Sequence, residues 1–272
     1  MSEPDEEINR VLNRAGQFLR RQREVYGETL YRSDPAQQPD PKKESAASKQ
    51  PPGPAEVDLF GQPAVPQSSE GAQLKAGYPN ELWAGANNLD VLNGMICTCL
   101  KCGLGKTRKN FVFGVGNPTA DIVIIGEAPG ADEDEQGEPF VGRAGQLLNK
   151  ILEAVKLKRE EVYICNILKC RPPENRKPAS DEIELCEPYL WKQLEIIHPK
   201  MILCLGLTAG QALLKTTASL TNLRGTFHDY RGVPLMVTYH PAALLRNPNW
   251  KRPCWEDVQA FRKRYDDMLT SR

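Results

Sequence analysis

The sequence predicts an α/β fold in which helices cover both faces of a parallel sheet. Four short apolar runs are typical of strands, at residues 121–126, 162–167, 201–206 and 234–240. Helical patterns lie between and after them, at 143–156, 180–197 and 207–215 and from about 255 onward. Strands that alternate with helices in this way indicate a parallel sheet. We therefore expect a three-layer αβα domain with a central four-stranded parallel sheet.

Composition divides the chain into three parts. Within residues 1–30, apolar side chains recur at helical spacing with arginines largely between them, which predicts an amphipathic helix. Residues 31–77 are rich in Pro, Ser, Gln and Ala, and eight of the 22 prolines lie between Pro35 and Pro66. Such a segment buries too little apolar surface to order itself, so we expect a disordered linker. The folded domain is expected at 78–272.

Charge and hydropathy argue against a protein that is basic overall, a secreted protein and a membrane-spanning protein. The formal net charge is +0, so a protein that binds nucleic acid must concentrate its basic residues locally. The N-terminus lacks the basic and apolar regions of a signal peptide, and no apolar run is long enough for a transmembrane helix. We therefore expect a cytoplasmic monomer without a membrane partner. The N-terminal helix is a candidate site for a protein partner or for DNA, or a surface helix without function.

Unusual side chains fall at the carboxyl ends of the predicted strands. Glu127 and an acidic loop follow the first strand, and Asn166 ends the second. A Gly-containing turn follows the third strand, and His240 lies at the tip of the fourth. In parallel sheets, ligands bind where loops leave these strand ends. The sequence therefore predicts one site along this edge of the sheet.

The acidic loop GEAPGADEDEQGEPF, at residues 126–140, argues against a phosphate site. It begins with glycine, as phosphate-binding turns do, yet it carries six acids. Carboxylates around a phosphate would repel it. The chain also contains no GxGxxG motif, so a dinucleotide-dependent enzyme is disfavoured.

The cysteines suggest a metal centre. Eight cysteines in a chain without an export signal favour thiols or metal ligands over disulfides. Cys99 and Cys102 form a CxxC, and Cys170 and Cys186 bracket a Pro- and Arg-rich loop. Four thiolates suit either zinc or an iron–sulfur cluster, and spacing alone does not separate the two. Cys97 competes with Cys99 for the first position.

Three motifs resemble the family 4 uracil-DNA glycosylases, the iron–sulfur branch of that superfamily. They are GEAPGADEDEQGEPFVGRAGQLL, NILKCRPPENRKP and HPAALLRNP, in this order along the chain. The resemblance runs from about Ile96 to the end of the last helix, and both cysteine pairs fall at the family's spacing. A related branch that links covalently to DNA carries a KRRIH-type insertion, which this sequence lacks. The N-terminal helix and linker lie outside the resemblance.

The resemblance implies an enzyme that flips deoxyuridine out of DNA and hydrolyses its N-glycosidic bond, which starts base-excision repair. Flipping costs roughly a few kcal/mol, and stacking of uracil on Phe140 would return about 1–3 kcal/mol. Asn166 would pair with uracil O4 and N3–H and reject cytosine. His240 would stabilise the negative charge that develops at O2.

The remaining pocket residues are also implied by the resemblance. Glu127 would either position the attacking water or brace its loop, and Glu133 would crowd uracil C5 and so reject thymine. The expected catalytic residues are Glu127 and His240, and the expected uracil-binding set is Glu127, Ala128, Pro129, Glu133, Phe140, Asn166 and His240.

The resemblance further implies a 4Fe–4S cluster of structural role, held by Cys99, Cys102, Cys170 and Cys186. Basic groups that neutralise phosphates and leucines that wedge into the space left by the flipped base would then hold DNA. The candidates are Arg171, Arg176, Lys177, Leu244, Leu245 and Arg246, and Arg108 after the CxxC is a further basic candidate.

Two function classes stay open on the residues alone. The first is the glycosylase. The second is a nucleic-acid-binding module with a zinc or iron–sulfur scaffold, in which Glu127 and His240 have no chemical role. Taken singly, Phe140 could also be an ordinary core side chain, and Asn166 could cap the loop at its strand end.

Overall fold

The computed structural model describes residues 81–270. The predicted helix at 1–30 and the predicted linker at 31–77 lie outside the described residues, as do the first positions of the predicted folded domain. Among the helices of the described part, none combines the length and the apolar character needed to cross a membrane.

A mixed sheet of six strands forms the centre of the described part. The four strands predicted from sequence pair in parallel, and two short strands join them antiparallel at the edges. The prediction of a four-stranded sheet is therefore corrected to six strands. In chain order they are β1 (Val115–Gly116), β2 (Ile122–Gly126), β3 (Tyr163–Asn166), β4 (Met201–Leu205), β5 (Phe227–Tyr230) and β6 (Val233–Thr238), and the sheet order is β1-β3-β2-β4-β6-β5.

Helices lie on both faces of the sheet. Across residues 81–270 they are α1 (Leu89–Ile96), α2 (Ala131–Gln136), α3 (Arg143–Ala154), α4 (Ser180–Ile197), α5 (Leu207–Leu214), α6 (Leu220–Leu223), α7 (Pro241–Arg246) and α8 (Lys251–Thr270). Successive side chains of a strand point to opposite faces. Ile125 accordingly shares one core with Leu190 of α4. Ile124 shares the other core with Leu148 of α3 and Phe261 of α8.

The strand order places a crevice at the carboxyl end of β2. After β2 the chain builds β3 on one side of it and then crosses to build β4 on the other side. Parallel sheets bind ligands at such a reversal of strand order. Gly126 at the end of β2 pairs with Asn166 at the end of β3, so the loops that leave these two strands begin side by side.

Candidate active site

A cavity of about 490 Å³ opens at the carboxyl ends of the four parallel strands. Glu127 follows β2, Asn166 ends β3, Gly206 follows β4, and His240 follows β6. The structure thus gathers the strand-end residues into one site. Each member of the expected uracil-binding set lines this cavity: Glu127, Ala128, Pro129, Glu133, Phe140, Asn166 and His240.

Phe140 belongs both to the core and to the cavity wall. It packs in the same core as Ile124 and is only 5% exposed. Its ring centre lies 5.4 Å from that of His240. Its φ of 55° is unusual for a residue with a side chain. A Cβ at Gly145 would overlap the Phe140 backbone, so glycine at that position lets α3 approach this turn closely.

Asn166 presents a buried oxygen that lacks a hydrogen-bond partner. The residue is 2% exposed, and no donor within residues 81–270 reaches its Oδ1. An unpaired buried acceptor costs about 1–3 kcal/mol. A Cβ at Gly126 would overlap this oxygen and would lie 2.6 Å from Cζ of Phe140. Glycine therefore keeps open the space between the amide and the aromatic ring, and a ligand N–H would satisfy the oxygen.

His240 is held as a neutral donor. It caps α7, and its Nδ1 accepts the backbone N–H of Ala242 at 3.2 Å, so the proton of the neutral ring lies on Nε2. Burial, together with a smaller effect of the positive charge of Arg246, lowers the pKa of His240 to about 4. The other two histidines lie away from the cavity: His198 caps the end of α4 and His228 lies in β5.

Glu133, the residue expected to crowd uracil C5, also braces the acidic loop. Its Oε1 accepts the backbone N–H groups of Val141 and Gly142, each at 3.0 Å, and its Oε2 accepts that of Gly130 at 3.1 Å. The carboxylate is therefore used within the protein, although it lines the cavity. By contrast, no group of the described residues donates a hydrogen bond to the carboxylate of Glu127.

Most of the remaining acids in this loop belong to helix α2. Asp132, Glu133 and Asp134 occupy its first turn, where negative charge favours the helix dipole. Asp134 is buried, and its Oδ1 accepts the backbone N–H of Lys109 at 2.9 Å. The acids thus stabilise a short helix and its contact with the segment after the CxxC.

The four cysteines of the two pairs lie near one another beside the cavity. Cys170 and Cys186 are buried in the core that Cys99 and Cys102 pack against. Burial raises the pKa of Cys170, the hydrogen bond and charge of Arg108 lower it in part, and the neighbouring Cys102 and Cys99 add smaller raising effects. Burial likewise raises the pKa of Cys186 to about 12. Four thiols that share one core supply the donor type of a thiolate-bound metal centre, so their chemistry fits such a centre.

The geometry favours Cys99 over Cys97 within this group. The Cys99 Sγ accepts a hydrogen bond from the hydroxyl of Tyr189 at 3.2 Å. The Cys97 thiol instead lies 3.7 Å from the carbonyl of Gly94 in the preceding helix. All eight thiols are free. Among residues 81–270, no three His, Cys, Asp or Glu side chains converge as the ligands of a metal ion do. The case for a metal centre at these four cysteines therefore depends on their thiol donors and on their proximity to one another.

Arg108 belongs to the cysteine group, not to a DNA-facing surface. Its Nη1 donates to Cys170 Sγ at 3.0 Å and to the carbonyl of Cys99 at 2.7 Å, and its Nη2 donates to the carbonyl of Cys97 at 2.8 Å. Its guanidinium also lies over the ring of Phe111. All these contacts are internal, so Arg108 holds the CxxC turn against Cys170.

The two leucines expected at the DNA interface have different environments. Leu244 is 2% exposed and packs in the core, so it is corrected from a DNA wedge to a core residue. Leu245 is 40% exposed and stays available to DNA. The difference follows from the helix: α7 turns one of two consecutive side chains inward and the other outward.

The basic candidates also differ. Arg176 pairs with both carboxylate oxygens of Glu182, at 2.8 and 2.6 Å, so much of its charge is already neutralised. Arg171 donates to the side chain of Asn175 at 2.8 Å. Lys177 is exposed, and Arg246 is exposed at the cavity wall.

Sequence reasoning did not single out several cavity residues. Tyr239 and Trp250 stack on each other at 5.2 Å between ring centres, and Asn175 and Thr208 complete other parts of the wall. The tryptophan follows the HPAALLRNP motif by two positions, so an aromatic residue close behind a site motif was the available signal.

Comparison with known proteins identifies the family. The family model of the uracil DNA glycosylase superfamily matches residues 113–259. The chain is 46% identical to the type-4 uracil-DNA glycosylase of Archaeoglobus fulgidus, over 63% of this chain and 90% of the relative. It is 43% identical to the type-4 enzyme of Pyrobaculum aerophilum, over 64% and 93%. It is 46% identical to that of Saccharolobus solfataricus, over 65% and 85%.

The matched segment contains most of the residues that line the strand-end cavity, including Glu133, which braces the acidic loop. Of the two cysteine pairs, Cys170 and Cys186 lie within the segment, and Cys99 and Cys102 lie shortly before it. The chain belongs to the uracil-DNA glycosylase superfamily, as a member of its type-4 uracil-DNA glycosylases.

Proposed function

We propose that this chain removes uracil from DNA by flipping deoxyuridine into the strand-end cavity and hydrolysing its N-glycosidic bond. The reaction releases uracil and leaves an abasic site, which starts base-excision repair. The observation that carries this proposal is the unpaired Oδ1 of buried Asn166. The N3–H of uracil is the donor it lacks, whereas cytosine presents an acceptor at that position.

The other cavity residues supply recognition and charge stabilisation. The base stacks on the ring of Phe140, which offsets the cost of flipping. Neutral His240 donates its Nε2–H to uracil O2, where negative charge accumulates as the bond between N1 and C1′ breaks. Because the pKa of His240 is about 4, the ring stabilises this charge as a hydrogen-bond donor without transferring its proton.

Glu127 is the residue we assign to the attacking water. Its carboxylate lines the cavity and is unpartnered among the described residues, while Glu133 already braces the loop. A carboxylate there orients a water towards C1′ and accepts its proton as the new C–O bond forms. The departing uracil takes the electron pair of the broken bond and is protonated by solvent.

We also propose that Cys99, Cys102, Cys170 and Cys186 hold a 4Fe–4S cluster. Such a cluster would supply a structural clamp. It would tie the CxxC turn to the loop between Cys170 and Cys186, part of which lines the cavity through Pro172, Asn175 and Arg176. The DNA contacts we propose are Arg171, Arg176, Lys177, Leu245 and Arg246. The domain boundaries at 30 and 77, a monomeric state and a partner for the N-terminal helix stay predictions.

The experiment uses a labelled oligonucleotide with one deoxyuridine, incubated with the protein and then treated with alkali. We expect strand cleavage at the uracil. We expect His240→Ala to lower kcat by about 10²–10³, as the loss of one oxyanion donor does. A protein that binds the oligonucleotide but produces no alkali-labile site would instead be a binding module.

A further inference from the structure

An aromatic surface lies at the mouth of the cavity and is not used by the reaction described above. Trp250 lines the cavity and is 39% exposed, which is a large exposed area for a tryptophan. Its ring stacks on that of Tyr239, with 5.2 Å between ring centres and 18° between planes. Because Tyr239 covers one face of the Trp250 ring, a further stacking partner can reach only the opposite face.

The support beneath Trp250 is rigid. The guanidinium of Arg224 lies over the ring of Tyr239 at 5.4 Å. Arg224 is in turn fixed by Asp257, whose two oxygens accept from it at 2.7 and 3.0 Å, and by the carbonyl of Pro253 at 2.6 Å. Asp257 is buried and also accepts the hydroxyl of Thr238 at the end of β6. The aromatic pair therefore extends a buried network outward to the cavity mouth.

The surroundings of Trp250 suit a polyanion. Arg246 lines the same cavity, and Lys251 and Arg252 follow Trp250 directly and are exposed. An exposed aromatic face beside basic side chains is how proteins hold single-stranded nucleic acid, because every base can stack and every phosphate can be neutralised. A rigid ring loses little entropy on binding.

We propose that the outer face of Trp250 stacks the base that neighbours the flipped uridine in the same strand. This inference rests on the proposed function, because it places uridine against Phe140 in the cavity that Trp250 also lines. The occupant is one nucleobase, either a purine or a pyrimidine, because stacking on an aromatic ring tolerates any base. The stack would hold the strand open beside the flipped nucleotide and raise affinity without taking part in bond cleavage.

The test combines a protein change with a DNA change. Three single-stranded oligonucleotides each carry one deoxyuridine: one is intact, and the other two have an abasic residue in place of the neighbouring base on the 5′ side or on the 3′ side. With the wild-type protein, removal of the base on one side lowers kcat/KM by about 5- to 150-fold. With Trp250→Ala, the intact substrate shows the same loss and that abasic substrate shows no further loss. Trp250→Phe, which keeps an aromatic face, retains most of the effect.

The chain offers a matched control. Trp255 is also 39% exposed, but it lies on α8 and does not line the cavity. Trp255→Ala should behave as wild type on all three substrates. Trp250→Leu keeps the apolar contact with Tyr239 without an aromatic face, so it should match Trp250→Ala even if the alanine variant is unstable. If Trp250→Ala and Trp250→Leu lowered kcat/KM by the same factor on the intact and the abasic substrates, each relative to the wild type on that substrate, the proposal would be overturned.

A second readout separates this proposal from the proposed function. Tryptophan fluorescence is recorded as uracil-free single-stranded DNA is added. Quenching that is present in the wild type and in Trp255→Phe but lost in Trp250→Phe supports the stack even if no uracil is released. Quenching that Trp250→Phe leaves unchanged would count against the stack even in a fully active glycosylase.

Discussion

At the scale of single residues, the proposed reaction depends on a histidine that stays neutral. Ala242 fixes the proton of His240 on Nε2 by donating its backbone N–H to Nδ1. Burial lowers the pKa of the ring to about 4. A charged imidazolium would have to donate from Nδ1 to a group that is itself a donor. The hydrogen bond that caps α7 therefore also leaves the proton on Nε2, where the proposed catalytic donor needs it.

The pH dependence of kcat should show this low pKa. Between about pH 8 and pH 5, His240 should not change charge, so it should contribute no titration near pH 6.5, the usual value for histidine. The acid limb should appear near pH 4. In the unfolded chain the pKa is about 6.5, so the unfolding free energy should fall as the pH drops from about 6.5 towards 4.

A rate profile measured under single-turnover conditions checks this prediction, with stability followed over the same pH range. An acid limb near pH 6.5 that disappears in His240→Ala would mean that the ring titrates as an ordinary exposed histidine.

The buried, unpaired Oδ1 of Asn166 destabilises the free protein, and a ligand that donates a hydrogen bond to it would remove that destabilisation. Replacing it with leucine of similar shape removes a buried oxygen that has no partner. We expect Asn166→Leu to raise the unfolding free energy by about 1–3 kcal/mol while uracil release is lost. Chemical denaturation and uracil release measured on the same preparation test this. A variant that is both less stable and inactive would show that the amide supports the fold in the free protein.

The residues around the cavity could be predicted as a set, but their division of roles could not. The position of Glu127, Asn166 and His240 at strand ends follows from the order of strands and helices in the sequence. Which of Glu127 and Glu133 braces the loop depends on the path of the backbone at Val141 and Gly142, which are eight and nine residues beyond Glu133. Sequence spacing does not reveal that return of the chain.

At the scale of elements, the loop after β2 acts as a supported helix–turn unit. Its helix α2 starts at Ala131 and ends at Gln136, and Gly137 follows with a φ of 79°. Glu133 links the start of this helix to the two residues after Phe140. The side chain that would stack on uracil is therefore placed by hydrogen bonds to its neighbours in the chain.

Glu133→Gln should weaken this unit. A neutral amide oxygen accepts more weakly than a carboxylate, and the amide nitrogen would face a backbone N–H. We expect the unfolding free energy to fall by about 1–3 kcal/mol and kcat to fall with it, because Phe140 loses its fixed position. Glu135→Gln is the control, since Glu135 lies on the exposed side of the same helix and pairs only with Lys109. Equal stability and activity in both variants would refute the brace.

The edge strands show where element prediction fails. β1 has two residues, and two of the four residues of β5 are exposed. Neither gives the apolar run that marks β2 or β4, which are buried along their whole length. Their pairing is imposed by the neighbouring strand, as that of Phe227–Tyr230 is by β6. Such strands need tertiary contacts, which the local sequence does not contain.

At the scale of the whole molecule, the cysteine group and the cavity share one stretch of backbone. Only Ile167, Leu168 and Lys169 separate Asn166 from Cys170. Two of these residues continue the pairing with the strand-end loop: the N–H of Ile167 donates to the carbonyl of Gly126, and that of Leu168 donates to the carbonyl of Glu127. A metal centre that fixes Cys170 would thus also fix the base-reading amide.

This connection predicts the effect of losing a cysteine. Cys186→Ser should abolish the brown colour expected of an iron–sulfur protein, lower the melting temperature and reduce uracil release, because the loop along the cavity is no longer clamped. Cys97→Ser should keep all three properties, since that thiol contacts the carbonyl of Gly94 and is not one of the four proposed ligands. Iron and sulfide analysis with visible absorbance checks the cluster directly. A colourless wild-type protein that contains zinc would contradict the cluster and leave the clamp itself in place.

The assignment of this cavity as the uracil site is tested most directly by a single-turnover measurement of free base released from oligonucleotides that carry one deoxyuridine or one deoxycytidine. DNA binding is measured in parallel for the wild type, Asn166→Ala and His240→Ala. We predict that the wild type releases uracil alone, and that both variants bind DNA but lose most of the release rate. Release of cytosine at a similar rate, or undiminished uracil release by both variants, would contradict the assignment of this cavity as the uracil site.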